Sequence, residues 1–297
     1  MEQKVPVSVL IMTRNEELNI RECLESFKWA AEIVIVDSHS TDKTIEIARQ
    51  YTDKIYPYTW NGKNPKKSWS LENPQFSYDW VLMPDADERG TAGFKEELEK
   101  IVTDSNDRLA GYVIKYDYWF LGKYLRFGDP VRKMILFRKS KVKFEQFDVS
   151  KQEGVQDLEV GHEHPITNGK IGSMKNPLLH DDKRPLHFYL DRHNRYSTWE
   201  AGLLLQRSYS NETGDEVSGS LKGSSVQLRR FMKKIFLKLP FKPLIYFIYG
   251  YIFRLGFLDG YPGLCYNVCK SIYAYQIALK LHELKLRAKW DVPGRTN

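Results

Sequence analysis

Two aspartates and a glutamate, Asp85, Asp87 and Glu88, follow directly on an apolar, strand-like run in the stretch WVLMPDADER. Core burial does not explain that ending, because carboxylates at the end of a buried strand need solvent, a cation or a counter-charge. Asp-x-Asp spacing can turn two carboxylates toward one small volume, and Ala86 between them keeps the turn slim. Oxygen ligands of this kind suit Mg2+ or Mn2+, which bind through one or two carboxylates while substrate phosphates complete the shell. The chemistry to expect is a divalent cation holding a nucleotide diphosphate. The same spacing also marks ordinary turns and helix caps, so the neighbouring residues have to decide.

Histidines form a second concentration: His162, His164, His180, His187 and His193 fall within 32 residues. The His-x-His pair is compatible with zinc, but no cysteine joins the group. A more economical reading takes His180 alone, at the end of the apolar run Pro177, Leu178 and Leu179, and lets it reach the metal or the diphosphate from the far side. A satisfied core histidine is the rival. Arg132 and Lys133, ahead of a strand signal in VRKMILFRK, are candidate cations for the diphosphate or for an anionic acceptor.

The elements that must position these residues alternate in type. VPVSVLIM and AEIVIVD are apolar, β-branched runs. The first precedes Leu18, Cys23, Leu24 and Phe27 at helical spacing, the second Ile45, Ile47 and Ala48, where a Ser or Thr of STDKT offers a cap. KIYPY and WVLMP read as further strands, TAGFKEELEKIV as a helix, and GYVIKYDYWF and KMILFRKS as strands; the stretch carrying Pro65 and Pro74 is poorly periodic. Such alternation predicts an α/β fold, a mostly parallel, doubly wound sheet with helices on both faces. Ligands of open α/β sheets bind at the carboxyl ends of the strands. That rim would gather Thr13, Arg14, Asn15 and Glu16 from the first strand, Asp37, Ser38, Ser40 and Asp42 from the second, and Asp85 and Asp87 after WVLMP.

At 297 residues, 42% hydrophobic and 28% charged, the chain is long enough for one large α/β domain with an appendage and excludes a disordered or disulfide-stapled protein. Three cysteines without a CxxC suit a reducing compartment, and the first apolar stretch is too short for a secretory leader, so no export is expected. The net charge of +7 is uneven: Arg229, Arg230, Lys233, Lys234, Lys238 and Lys242 crowd into QLRRFMKKIFLKLPFK. A cluster of this kind suggests an anionic partner, phospholipid or nucleic acid.

The order VSVLIMTRNEE, EIVIVDSHSTDKT, DWVLMPDADE resembles the nucleotide-sugar domain of family 2 glycosyltransferases, inverting enzymes with a Rossmann-like GT-A fold. The stretch VGHEHPITNGKIGSMKNPLLHDDKRPLHFYLDRHNRYSTWEA and the later YIFRLGFLDGYPGL are similar to a subgroup that includes bacterial lipopolysaccharide-core glucosyltransferases. The resemblance implies transfer of a hexose such as glucose from a UDP-sugar to a lipid-linked or lipopolysaccharide glycan. It places Thr13, Asn15 and Glu16 around the nucleotide, Asp37 on the uracil or ribose, and Asp85 and Asp87 in the metal motif with Asp87 as direct ligand. Many members carry a second Asp where this chain has Ser38, which thins the nucleobase contact. The Glu-Asp pair that supplies the catalytic base in many members is not found after the DxD; Glu163 in GHEH is its expected substitute. The implied layout is a nucleotide-sugar core over residues 1–140, an acceptor-side part over 141–209, a linker over 210–225 and a basic, aromatic helical extension over 226–297.

The apolar run from Leu244 to Phe253 has ten residues. A helix of that length spans about 15 Å against a hydrocarbon core of about 30 Å, so it cannot cross as a simple helix but can lie in a membrane interface. Its aromatics and the adjoining cations predict peripheral attachment to the inner face of the bacterial cytoplasmic membrane. A helical subdomain or a homo-oligomer interface would carry the same pattern. A non-catalytic membrane- or nucleic-acid-binding protein on the same fold is the alternative of a different class; the leading reading expects no nucleic acid. A nucleotidyltransferase would show a Gly-rich loop where this chain has TRNEE.

Overall fold

The computed structural model describes residues 3–60, 65–128, 131–144, 165–209 and 242–290. These fall into two compact units, one with the residues up to 126 together with 131–144 and 165–185, the other with 127–128, 186–209 and 242–290. The expected base Glu163, with His162 and His164, lies outside the described residues, as do the linker 210–225 and the cations from Arg229 to Lys238.

The first unit is a mixed, mostly parallel sheet. Strands β1 (Val5–Thr13), β2 (Ala30–Asp37), β3 (Ile55–Pro57) and β4 (Trp80–Leu82) pair in parallel in the order β3-β2-β1-β4. Strands flanked by helices on both faces read as continuous apolar runs, and here successive residues serve opposite layers. Val9, Ile11, Ile33 and Ile35 join one core cluster with Cys23, Leu24 and Phe27 of helix α1 (Ile20–Phe27) and Phe94 and Leu98 of a later helix. Leu10, Val34 and Val36 join the other with Tyr58, Leu71 and Phe137.

Helix α2 (Thr44–Ala48) is short, and its opening differs from the sequence expectation. Asp42 accepts from Thr44 N at 3.0 Å, while the cap candidate Ser40 donates its hydroxyl to Asp37 at 2.6 Å. The poorly periodic stretch contains a helix, α3 (Lys66–Glu72), entered through Pro65, which suits a helix start because its missing N–H needs no partner there. Beyond β4, Asp85 forms an isolated bridge with Met12, β5 (Glu88–Arg89) follows, and Thr91 caps helix α4 (Ala92–Thr103) by accepting from Phe94 N at 3.2 Å.

Strands β6 (Gly111–Phe120) and β7 (Lys123–Leu125) form a hairpin through Leu121 and Gly122, both at positive φ as a tight two-residue turn requires. Strand β8 (Arg132–Arg138) enters antiparallel between β4 and β6. The chain from β6 to β8 is too short for the helical crossover that a parallel pairing needs. A short pair, β9 (Lys143–Phe144) with β10 (Pro165–Ile166), stands apart. Strands β11 (Ile171–Ser173) and β12 (Leu178–His180) pair in parallel with β6, and β12 pairs antiparallel with β5. This last pairing brings His180 opposite Glu88.

The second unit is helical. Helix α5 (Leu186–Tyr209) packs on the 31-residue α7 (Gly260–Trp290), where Tyr273 donates to Glu200 at 2.8 Å and Lys280 Nζ donates to Asn194 Oδ1 at 2.7 Å and Ser197 Oγ at 2.8 Å. The apolar run from Leu244 to Phe253 is not a single α-helix: α6 (Lys242–Ile248) continues directly into a π-helical turn over Tyr249–Phe253, and a 3-10 turn over Gly256–Asp259 follows. No described helix is long and apolar enough to cross a membrane.

Candidate active site

The carboxyl ends of β1 and β2 are level because their register pairs Thr13 with Asp37. Asp37 accepts from Thr13 Oγ1 at 2.7 Å, Ser40 N at 2.8 Å and Ser40 Oγ at 2.6 Å, which fixes its carboxylate at the rim. Asn15, at φ 54°, accepts from Thr41 N at 2.8 Å through its side chain, while its own N donates to Ser40 Oγ at 2.8 Å. A loop after β1 is thereby tied to the loop after β2. The hydroxyl of Ser38 is buried beside Asp37 without a hydrogen-bond partner. Lys66, from α3, is buried and donates to Thr13 O at 2.9 Å.

The two aspartates of the DxD face different partners. Asp85 accepts from Lys133 Nζ at 2.7 Å, and the same ammonium reaches Glu88 Oε1 at 3.2 Å and lies 5.0 Å from the Tyr116 ring centroid. Burial would raise the Asp85 carboxyl, but Lys133 and Lys67 outweigh it and hold it well below the usual carboxylate range. Burial pushes Glu88 up to about 8, with Lys133 opposing and Asp85 and Asp87 reinforcing the shift. Asp87 instead lies with Oδ1 3.5 Å from His180 Nε2 and Oδ2 3.6 Å from Arg184 Nη2. The His180 ring stacks on Tyr118 at 4.1 Å between centroids.

Arg184 links this aspartate to the first strand. It donates to Glu16 Oε1 at 3.1 Å and is held by Asp182 through Nε and Nη2, both at 2.8 Å. Burial pushes Glu16 up to about 7, Arg184 drawing it down and Asp87 pushing it up. Arg89 clamps the turn from within: its Nη1 donates to Asp87 O at 3.0 Å and Asp181 O at 2.9 Å, and Asp181 N donates to Asp87 O at 2.9 Å.

Of the residues expected from sequence, Thr13 and Asp37 meet directly, Glu16 reaches Asp87 through Arg184, and His180 faces Asp87. Asp85 is drawn to Lys133. Arg132 is exposed at the start of β8, paired across the strands with Lys115; strand alternation sends it and Lys133 to opposite faces. Arg184, Asp182, Arg89 and Lys66 were not expected. Arg184 and Asp182 sit in HDDKRP, a mixed charge run that reads as a solvated loop, and only its position directly after the apolar run ending in His180 hints at the rim.

A single carboxylate and an imidazole converging on one another fit a cation that takes two protein ligands and completes its shell from diphosphate and water. Among the described residues no group of three or more His, Cys, Asp or Glu is arranged for a metal; the His-x-His pair of the zinc reading, His162 and His164, lies outside them. His193 instead lies with Nδ1 2.8 Å from Tyr189 O within α5.

Residues 8–156 match the family model described as glycosyl transferase family 2. A lipopolysaccharide core biosynthesis glycosyltransferase of Rhizobium meliloti is 30% identical over 97% of this chain and 97% of its own length. An uncharacterised glycosyltransferase of Rickettsia typhi is 28% identical over 95% of this chain and 89% of its own. Among solved structures, the Staphylococcus aureus TarS fragment 1–349 in complex with UDP aligns over 91% of both chains at 14% identity and a TM-score of 0.41. Glucosyl-3-phosphoglycerate synthase of Mycobacterium tuberculosis, solved with Mn2+, UDP and glucosyl-3-phosphoglycerate, aligns over 38% of this chain and 44% of its own at 21% identity and a TM-score of 0.30. By the family model and the full-length relative, the chain belongs to glycosyl transferase family 2, and it is a glycosyltransferase.

Proposed function

We propose that the protein is an inverting, metal-dependent enzyme that moves a hexose such as glucose from a UDP-sugar to a lipid-linked or lipopolysaccharide glycan at an anionic membrane surface. The observation that carries the donor side is the convergence of Asp87, His180 and Arg184, tied through Glu16 to the loop that follows Thr13. Thr13 and Asp37 offer a hydroxyl and a carboxylate to the ribose or nucleobase, and the unpartnered Ser38 hydroxyl adds a further polar contact there. Asn15 and Glu16 hold the loop that closes around the nucleotide. Asp87 and His180 are the residues that would hold Mn2+ or Mg2+, with Asp85 behind them. When bound, such a cation supplies Lewis acidity at the diphosphate and stabilises the charge of the departing UDP.

The chain's own groups do the rest. Arg184, already positioned by Asp182 and Glu16, presents a cation beside Asp87 to a diphosphate oxygen. Arg132, on the face of β8 opposite to Lys133, is left to an anionic acceptor rather than to the diphosphate. Glu163 takes the proton from the acceptor hydroxyl as it attacks the anomeric carbon; this role rests on the family resemblance. The acceptor class is supported by the likeness to the Rhizobium meliloti core-biosynthesis enzyme along nearly the whole chain. Membrane contact is assigned to the basic, aromatic stretch 226–297.

Calorimetric titration of UDP with and without Mn2+, on the wild type and on Asp87→Ala, tests the donor site. Binding that needs the metal and disappears in the variant is the expected result. Tight binding indifferent to both would remove the role given to Asp87.

A further inference from the structure

Six apolar residues, Ile252, Phe253, Leu255, Phe257, Leu258 and Tyr261, are exposed within ten positions at the corner between α6 and α7, Phe253 at 74% and Tyr261 at 73%. The corner is not a loose loop. Its interior is Asn267 of α7, buried, with Nδ2 donating to Gly263 O at 2.8 Å. Gly256 packs so tightly on this amide that an added Cβ would lie 2.6 Å from Asn267 Nδ2 and 2.8 Å from Gly250 O. From the other side, Gly128 N donates to Arg254 O at 2.8 Å and Phe127 N to Asp259 Oδ2 at 2.9 Å. Leu255 is held at φ 60°, a left-handed conformation that a branched side chain adopts only when its surroundings impose it. The backbone is therefore built to hold apolar side chains outward, and exposed apolar residues concentrated in one short, rigid segment mark a contact site.

Charge identifies the partner. Residues 186–297 carry 17 Lys and Arg against 8 Asp and Glu, whereas residues 1–185 carry 28 against 30. A second copy of the chain would bring the same positive set against itself; an anionic lipid surface is complementary to it. Aromatic and aliphatic side chains in a stretch of sequence that also carries Lys242, Arg254 and Lys270 suit the boundary between headgroups and acyl chains. We propose that the corner at residues 252–261 is a preformed wedge that inserts into the interface of an anionic membrane. The proposal deepens the membrane reading above and rests on it; it makes the turn between the helices, rather than an apolar helix, the inserting element.

The test is co-sedimentation of the full chain with phosphatidylcholine vesicles, with and without phosphatidylglycerol and lacking any glycan acceptor. The comparison is between wild type and the double variant Phe253→Ser, Leu258→Ser. Each buried side chain of this size contributes enough that affinity for the anionic vesicles is expected to fall about tenfold or more, with UDP binding unchanged. Vesicle binding that survives the double change would overturn the wedge while leaving the membrane reading intact. Absence of vesicle binding by the wild type would remove both, and a wild-type dimer made monomeric by the same changes would show the corner to be a self-association face. As an independent measurement, the difference between the Phe253→Trp and wild-type emission spectra, which isolates the new indole from the seven native tryptophans, should shift to the blue on adding anionic vesicles; an unshifted difference spectrum counts against insertion even if the double variant fails to fold.

Discussion

Two regions of the molecule depart from the rule that charge stays outside and apolar groups inside, and they do so in opposite directions. At the sheet rim, Asp87, Glu88, Arg89, His180 and Asp181 are all buried. At the helical corner, Phe253, Leu255 and Tyr261 are all exposed. The rim is held together by its side chains, since each ion taken out of water meets an opposite charge or a main-chain partner. The corner is held together by its backbone, the buried amide of Asn267 and the buried carboxylate of Asp259. Changes at the rim therefore alter chemistry and leave neighbouring charges uncompensated, whereas changes on the corner's outer side alter what the surface meets and leave its interior in place.

The sharpest way to separate the two regions is Asp87→Ala, which is expected to lower the rate of sugar transfer roughly 10²- to 10³-fold, the range seen when one electrostatic contact to a reacting centre is removed. Initial rates with a UDP-sugar panel read the effect, and a loss below tenfold would detach Asp87 from the chemistry. Arg89→Met probes the frame beneath it. Removing the guanidinium takes a donor from the carbonyls of Asp87, which keeps Asp181 N, and Asp181, and about 2 kcal/mol of stability should go with it. Urea unfolding measures this; an unchanged midpoint would mean that water replaces the clamp.

Glu32, near the amino end of β2 and so at the opposite end of that strand from the rim, is a control that depends on pH. Burial would raise its carboxyl, but hydrogen bonds from Lys54, Ser8 and both the N and Oγ of Ser77 hold it at about 2. A carboxyl depressed on folding contributes stability that is fully present above its unfolded value, near 4.5, and is lost as pH falls through about 2. Wild type should thus lose roughly 2 to 3 kcal/mol across that window beyond what Glu32→Gln loses, read by urea unfolding at each pH. Parallel curves for the two proteins would contradict the assignment. The smallest effect belongs to the corner: Leu255→Asn, better suited to positive φ, should raise stability by about 1 kcal/mol or less, seen as a higher thermal midpoint. A lower midpoint would mean that Leu255 packs more than its exposure suggests.

Much of the first unit was legible in its sequence. VPVSVLIM, AEIVIVD, GYVIKYDYWF and KMILFRKS all occur as strands, because β-branched apolar runs carry their signal locally. Helix α3 was not, since its seven residues bury Lys66, Ser68 and Ser70 as well as Leu71 and so show no apolar period. The antiparallel entry of β8 also escaped, because strand direction depends on what a connection can span and not on the strand itself. In the site, Thr13 and Asp37 were readable from the ends of adjacent strands. Arg184 was not, since a charged residue in a charged run has the same local appearance whether it faces solvent or a buried aspartate.

What the sequence by itself determined is the alternation of strands and helices, the rim on which the carboxylates gather and the family to which the chain belongs. These follow from periodicity and short motifs, which are properties of neighbouring residues. Only the tertiary structure decided that Asp87 turns to His180 and Arg184 while Asp85 turns to Lys133, and that Leu255 is forced into a left-handed corner. Those outcomes depend on the pairing of β5 with β12 and on the fit of Gly256 against Asn267, contacts between segments far apart or folded back on one another that no local pattern encodes.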